Sequence, residues 1–124
     1  MKYRIFSKRE KLLTNYPLFS IPFSLFLVMA SQTIILQDLK RLKSSLAKRY
    51  PLKTMALFGS VSRSEHGKDS DVDILVEFDG KIGSRFIDLA EELESALGIK
   101  VDLVSRNGIK PKYYEAIRKD LIYV

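Results

Sequence analysis

Residues 57–76 read LFGSVSRSEHGKDSDVDILV, and this stretch carries most of the information about the fold and the function. A Gly-Ser pair, Gly59 and Ser60, ends an apolar run, and after ten further residues Asp71 and Asp73 stand one residue apart. Side chains at positions i and i+2 of a β-strand point to the same face, so the two carboxylates are expected side by side. Like charges at that separation repel each other. The spacing therefore predicts a cation between them, facing the Gly-Ser turn.

The composition is that of a globular domain. The 124 residues, 46% hydrophobic and 29% charged, suit one domain with a single core. The chain has no cysteine and one histidine, His66, which excludes a disulfide framework, a thiol nucleophile and a zinc site rich in Cys or His. Residues 1–55 contain eleven basic and two acidic residues, whereas residues 56–124 contain ten and thirteen. The basic half is compatible with a surface for nucleic acid or an acidic partner, or with a solvated helix face preceded by a basic leader.

Hydrophobic periodicity predicts helices and strands in alternation. Apolar residues recur at helical spacing from Thr33 to about Tyr50, and again from Phe86 to Leu97, where Gly98 marks the end of a helix. Strands are predicted at 53–58, 71–78 and 100–104, followed by a helix from Pro111 and a short last strand at 121–124. This order predicts an α/β (α+β) fold, in which helices pack on a small mixed β-sheet.

The first 30 residues differ in composition from the rest. A basic segment precedes an apolar run at 16–30, which is shorter than a membrane span and contains two prolines. Together, the basic segment and the apolar run resemble a signal peptide whose cleavage site is marked by small residues. Alternatively, Met29 is the natural start and the upstream residues are an extension, or the segment packs on the domain. We interpret residues 1–30 as an atypical extension and residues 31–124 as the domain.

Mg²⁺ is the cation that the carboxylate pair favours, because it binds through one or two carboxylates and shares its shell with phosphate oxygens. On their own, Asp71 and Asp73 are also compatible with two solvated side chains at a strand end. The Gly59-Ser60 pair adds a tight turn with bared backbone N–H groups and a hydroxyl, and Arg63 follows one turn later; all of these suit a phosphate. The alternative is a Ser helix cap followed by an exposed Arg. The fixed spacing of the two halves favours a combined phosphate and metal site.

A third carboxylate, Asp102, lies within the predicted strand at 100–104, which reads KVDLV. Its apolar neighbours predict burial, and a buried Asp needs a cation or hydrogen-bond donors. The alternative is an edge position facing water. If this strand neighbours the one with Asp71 and Asp73, three carboxylates converge, which suits two metal ions about 4 Å apart.

The combination of Gly59-Ser60, Asp71-x-Asp73 and the later Asp102 resembles the signature of the polymerase-beta-like nucleotidyltransferase superfamily. From about residue 34 to the C-terminus the chain looks like the minimal nucleotidyltransferases, which are small single-domain proteins. Residues 1–28 have no counterpart in that resemblance.

The resemblance implies a role for each matching residue. Asp102 would help to activate the acceptor as well as bind metal. Members commonly have Gly after the arginine, whereas this chain has Ser64, a departure that concerns the geometry of this loop. The implied nucleotide-binding residues are Gly59, Ser60 and Arg63, and the implied ligands of two Mg²⁺ ions are Asp71, Asp73 and Asp102.

A function is implied as well. Minimal nucleotidyltransferases act as antitoxins that transfer AMP from ATP to a tyrosine of a HEPN-domain ribonuclease toxin. The expectation is therefore a cytoplasmic, Mg²⁺-dependent protein adenylyltransferase with ATP as substrate and a HEPN toxin as partner, and with no membrane and no direct nucleic-acid partner. The alternatives are an antitoxin of this fold that acts by binding alone, and a nucleotidyltransferase acting on RNA or on a small molecule.

Overall fold

The computed structural model describes residues 23–64 and 71–124, with side chains from residue 31 onward. The interpretation of residues 1–22 and the single histidine therefore lie outside the described residues. The helices and strands, in chain order, are α1 (Phe23–Arg49), β1 (Leu52–Phe58), α2 (Gly59–Ser62), β2 (Val72–Phe78), α3 (Arg85–Leu97), β3 (Val101–Ser105), α4 (Pro111–Ile117), a 3-10 turn (Arg118–Asp120) and β4 (Ile122–Tyr123).

The four strands form one mixed sheet in the order β3-β2-β1-β4. β1 pairs antiparallel with both β2 and β4, whereas β2 and β3 run parallel because α3 connects them as a crossover. The predicted α/β class and the mixed sheet are confirmed. The predicted strands are confirmed within one or two residues at each end.

The main core lies between one face of the sheet and helices α1 and α3. Its fully buried side chains include Leu39 and Leu46 of α1, Leu89 and Leu93 of α3, and alternate residues of the strands. This alternation is the period of two that the sequence of β2 shows. A smaller cluster on the opposite face, formed by Phe58, Leu75 and Ile117, holds α4 against the sheet.

Helix α1 is longer than the periodicity predicts. It begins at Phe23, ten residues before Thr33, and therefore crosses the predicted division between residues 30 and 31. An amphipathic pattern cannot report this part of the helix, because residues 25–30 are almost entirely apolar and show no polar face. The division into extension and domain stays a prediction. Across residues 23–64 and 71–124, no helix is long and apolar enough to cross a membrane.

Candidate active site

The Gly-Ser turn, Gly59–Ser62, follows β1 without a linker. Gly59 has a φ of +76°, which glycine adopts at little cost, and the chain passes there from extended backbone into α2. Val61 is fully buried and fixes the turn to the core, while Ser60 is partly exposed. The Ser60 hydroxyl does not cap the helix and has no hydrogen-bond partner among the described residues. The predicted helical turn is confirmed, and the alternative of a Ser cap does not apply.

Strands β2 and β3 bring two of the predicted carboxylates together. Asp73 and Asp102 are register partners across the parallel pair, and Asp71 lies immediately before β2. On its other side Asp73 pairs with Phe58, the residue that precedes the turn. The condition for convergence, that the strand of Asp102 neighbours the strand of Asp73, is therefore met, and the Gly-Ser turn lies at the same end of β2.

The predicted burial of Asp102 is wrong. Its side chain is exposed, whereas Asp73 is half-buried. Side chains alternate along a strand, so Val101 and Leu103 pack in the main core and Asp102 takes the opposite face. Since β3 is an edge strand, that face is open to solvent at this position. The apolar neighbours of Asp102 therefore indicate that one face of β3 is buried, and they say nothing about the opposite face, on which the carboxylate lies.

The pKa of Asp73 is raised by its burial and by the carboxylates close to it. Burial, followed by the charge of Asp102 and a hydrogen bond that a protonated Asp73 donates to Asp102, raises the pKa of Asp73 from 3.8 to about 6. The charge of Asp71 raises this pKa further, and Arg63 opposes the effect. The negative charges at this end of β2 are therefore not balanced by the protein itself, which is the condition that favours a bound cation.

Arg63 is held beside the Gly-Ser turn by the C-terminal part of the chain. Its Nη1 atom donates to Oδ2 of Asp120 at 3.0 Å, and the Asp120 side chain is 17% exposed. The Ser62 hydroxyl donates to the backbone carbonyl of the same Asp120. Asp120 thus connects the turn to the 3-10 segment. The sequence does not show this role, because Asp120 and Arg63 are 57 residues apart.

Gln32 of α1 holds the turn from the other side. Its Nε2 atom donates to the backbone carbonyl oxygen of Val61 at 3.2 Å and to that of Ser62 at 2.7 Å. Sequence reasoning missed Gln32, because a glutamine on a helix has no spacing relation to a turn 29 residues later. Asp120 was missed for the same reason, although it lies in the region from about residue 34 to the C-terminus that resembles the family.

Ser64 occupies the position where minimal nucleotidyltransferases commonly have Gly. Its φ is +57°, in the left-handed region that favours glycine, and Ser64 alone among the described non-glycine residues has a positive φ. Its N–H donates to the carbonyl of Val61 at 3.0 Å, which closes the turn. The loop therefore keeps the backbone geometry that suits Gly, although the residue is Ser.

The three carboxylates fit Mg²⁺ by their chemistry. They are hard oxygen donors, two of them on the adjacent strands β2 and β3 and the third immediately before β2, and Mg²⁺ prefers such donors. Within the described ranges, no three ligating side chains are as close together as the shell of one metal ion requires. The donor set is thus suitable, with Asp73 and Asp102 as its closest pair.

These features, a Gly-Ser turn against a strand with an Asp-x-Asp pair and a third Asp on the parallel neighbour, agree with a family model. The model described as nucleotidyltransferase domain matches residues 39–124. The chain belongs to this family. All six predicted site residues lie within the matched region, whereas Gln32 lies before it. The chain is accordingly a nucleotidyltransferase, as its sequence resemblance predicts.

The chain is also similar to individual proteins of known name and to solved structures. A Methanocaldococcus jannaschii protein, provisionally named a protein adenylyltransferase, is 41% identical over 100 residues, 77% of this chain and its own whole length. Protein adenylyltransferase MntA of Thermococcus cleftensis is 40% identical over 84 residues, 66% of this chain and 84% of its own. A chain from the solved complex of a tri-AMPylated HEPN toxin of Shewanella oneidensis with an MNT antitoxin is 25% identical, with a TM-score of 0.56 over 72% of this chain and 70% of that chain.

Proposed function

We propose that this nucleotidyltransferase is a Mg²⁺-dependent protein adenylyltransferase that transfers AMP from ATP to a tyrosine of a HEPN-type toxin, and that it acts in the cytoplasm as the antitoxin. The observation that carries the proposal is the placement of the Gly-Ser turn beside the register pair Asp73 and Asp102. The names of the relatives support the choice of AMP as the transferred group, and the tri-AMPylated toxin of the similar complex supports a protein acceptor.

The Gly-Ser turn is the proposed binding site of the triphosphate. The Ser60 hydroxyl, which has no partner among the described residues, is free to donate to a phosphate oxygen. The turn's backbone N–H groups add neutral donors, and Arg63 adds positive charge at its end. Asp71, Asp73 and Asp102 would hold Mg²⁺, which when bound offsets the charge of the phosphates and of the attacking oxygen.

The transfer is an in-line displacement at the α-phosphorus. The tyrosine oxygen forms a bond to that phosphorus, the bond between the α-phosphorus and the bridging oxygen breaks, and pyrophosphate leaves. The phenol proton passes to the Asp102 carboxylate, which is exposed and can reach an incoming acceptor, whereas Asp73 lies deeper. Because Asp102 is on an edge strand, a macromolecular acceptor can approach the site from the open side of β3.

The test is the reaction with a cognate HEPN toxin. The full chain, the toxin, Mg²⁺ and ATP labelled in the α-phosphate are mixed, and intact mass with peptide mapping locates the label. We expect AMP on a toxin tyrosine, with release of pyrophosphate and loss of the reaction when Mg²⁺ is chelated. Asp102→Asn should suppress transfer while Mg-ATP binding is largely kept, and Asp79→Asn, at an exposed turn away from the site, serves as the matched control.

Other outcomes separate the alternatives. A stable complex with the toxin without any mass increase, unchanged when all three carboxylates are replaced, would establish the antitoxin that acts by binding alone. Label that appears on RNA or on a small molecule, but not on the toxin, would establish another acceptor class for the same chemistry.

A further inference from the structure

The carbonyl side of the Gly-Ser turn is fixed by a single side chain from α1. Gln32 donates from one Nε2 atom to two successive carbonyl oxygens, those of Val61 and Ser62, at 3.2 and 2.7 Å. These carbonyls are at the C-terminal end of α2, where backbone donors are few. The Val61 carbonyl also accepts the backbone N–H of Ser64 at 3.0 Å. A side-chain donor from outside the turn, such as Gln32, can therefore bind these carbonyl oxygens and hold the turn.

The turn needs such support because it is short. A helix of four residues forms too few internal hydrogen bonds to stabilise itself. Its position is set instead by buried Val61, by the Ser62 hydroxyl on the Asp120 carbonyl, and by Gln32. The Gln32 amide lies on the opposite side of the peptide units from the N–H groups, so it can orient the turn without occupying the phosphate site.

We propose that Gln32 is a positioning residue for the triphosphate: it sets the orientation of the Gly-Ser turn through the Val61 and Ser62 carbonyls, and thereby the direction of the Ser60 hydroxyl. The inference rests on the proposed function only in taking this turn as the phosphate-binding element. Gln32 lies seven residues before the region that the family model matches. The nucleotide site would then extend into α1 beyond the region that the family model matches.

The proposal requires an effect on nucleotide binding beyond an effect on stability. Small displacements of a binding group strongly reduce binding and rate. Loss of both Gln32 hydrogen bonds should raise the Kd of Mg-ATP and the KM for ATP by about tenfold. The KM for the protein acceptor should not change, because the acceptor approaches from β3, on the far side of β2 from α2. A residue that only stabilised the fold would not separate the two substrates in this way.

The experiment compares four variants of the full chain by calorimetric Mg-ATP titration and by steady-state AMP transfer. Gln32→Met and Gln32→Glu keep the side-chain length but cannot donate to a carbonyl, and both should show the tenfold weakening. Gln32→Lys retains a donor and should recover most of the affinity. Gln37→Met changes an exposed glutamine of the same helix and should behave as the wild type. If Gln32→Met does not fold, Gln32→Asn takes its place, since its shorter amide cannot reach both oxygens.

Two outcomes would overturn the role of Gln32. One is wild-type affinity for Mg-ATP in Gln32→Met or Gln32→Asn. The other is an equal rise in the KM values for ATP and acceptor that Gln32→Lys does not reverse. A wild-type chain that binds Mg-ATP but transfers no AMP to the toxin would contradict the proposed function instead, and the titrations would still decide the role of Gln32.

Discussion

Gly59 and Asp73 are packed so closely that no side chain fits between them. A β-carbon at position 59 would overlap Oδ2 of Asp73 and would lie 2.9 Å from its Cγ and 3.2 Å from its Cβ. The backbone of the Gly-Ser turn is thus in contact with a predicted metal ligand. This contact gives glycine two separate reasons to be present, since the φ of +76° also disfavours any other residue.

The two reasons can be separated by mutation. Gly59→Ala should cost about 1–2 kcal/mol for the left-handed backbone and a further penalty for displacing Asp73. Gly83→Ala is the matched control, because Gly83 has a φ of +60° and no described atom lies within 4 Å of a β-carbon there. We expect chemical denaturation to show a larger loss of unfolding free energy for Gly59→Ala than for Gly83→Ala. Equal losses would mean that Asp73 can move away freely.

Ser64 offers a stabilising change. Its φ of +57° costs a non-glycine residue about 1–2 kcal/mol, while glycine loses roughly 0.5–1 kcal/mol of that gain through the greater freedom of the unfolded chain. Ser64→Gly should therefore raise the unfolding free energy by about 0.5 kcal/mol, measured by denaturant titration. Ser64→Ala keeps the strained backbone and should give no gain. A destabilised Ser64→Gly would show that the hydroxyl contributes more than the backbone strain costs.

The fold was largely predictable, because most of its signals are local. β2 shows its period of two in the sequence, and α3 ends at Gly98, whose φ of +70° is the left-handed stop that the glycine predicts. The start of α1 was not predictable, since an apolar run without a polar face has no helical period to detect. The sequence did not predict the order of the strands in the sheet, because strand pairing depends on contacts between distant residues.

The site was predictable only in part. Its conspicuous residues are types that carry chemistry at short spacing, such as the Gly-Ser pair and the two aspartates of β2. The residues that hold them, Gln32 and Asp120, act through hydrogen bonds that span 29 to 58 residues, and no local pattern marks them. The exposure of Asp102 could not be read from its neighbours either, because apolar residues beside it report the opposite face of the strand.

The Asp73 carboxylate should destabilise the protein when no metal is bound. Its pKa in the folded state is about 6, above the ordinary value of 3.8, so the folded state binds its proton more tightly than the unfolded state does. This contribution to stability is fully present below about pH 3.8, declines as the pH rises toward 6, and is lost above it. With EDTA present, Asp73→Asn should be more stable than the wild type at pH 7, by the order of 1 kcal/mol after allowance for solvent screening.

The pH profile of that difference is the measurement. The advantage of Asp73→Asn over the wild type should shrink as the pH falls from 7 to 4, because wild-type Asp73 then becomes protonated. Asp79→Asn, which changes an exposed aspartate, provides the control and should show no such profile. An advantage that stays constant from pH 4 to 7 would mean that packing, not charge, causes it.

Metal and nucleotide should stabilise the protein together. If phosphate oxygens and the carboxylates share the shell of Mg²⁺, Mg²⁺ plus ATP will raise the Tm by more than the sum of the two separate shifts. The double variant Asp71→Asn, Asp73→Asn should lose this synergy, although it should be no less stable without ligand. Thermal scans with Mg²⁺, ATP, both or neither make the comparison. A double variant that responds to Mg-ATP as the wild type does would place the metal site elsewhere.

Two truncated chains test both the predicted division near residue 30 and the role of Gln32. A chain that begins at Met29 keeps Gln32 and the buried α1 residues from Ile35 onward, so it should be folded and should bind Mg-ATP like the full chain. A chain that begins at Thr33, after an added initiator, keeps that buried face but lacks the Gln32 side chain that fixes the Gly-Ser turn. This shorter chain should fold with a lower Tm and should bind Mg-ATP about tenfold more weakly. Circular dichroism, thermal scans and nucleotide titration distinguish the two. Aggregation of the chain from Met29 would mean that residues 1–28 pack on the domain, and equal affinity of both chains for Mg-ATP would show that the turn holds its orientation without α1.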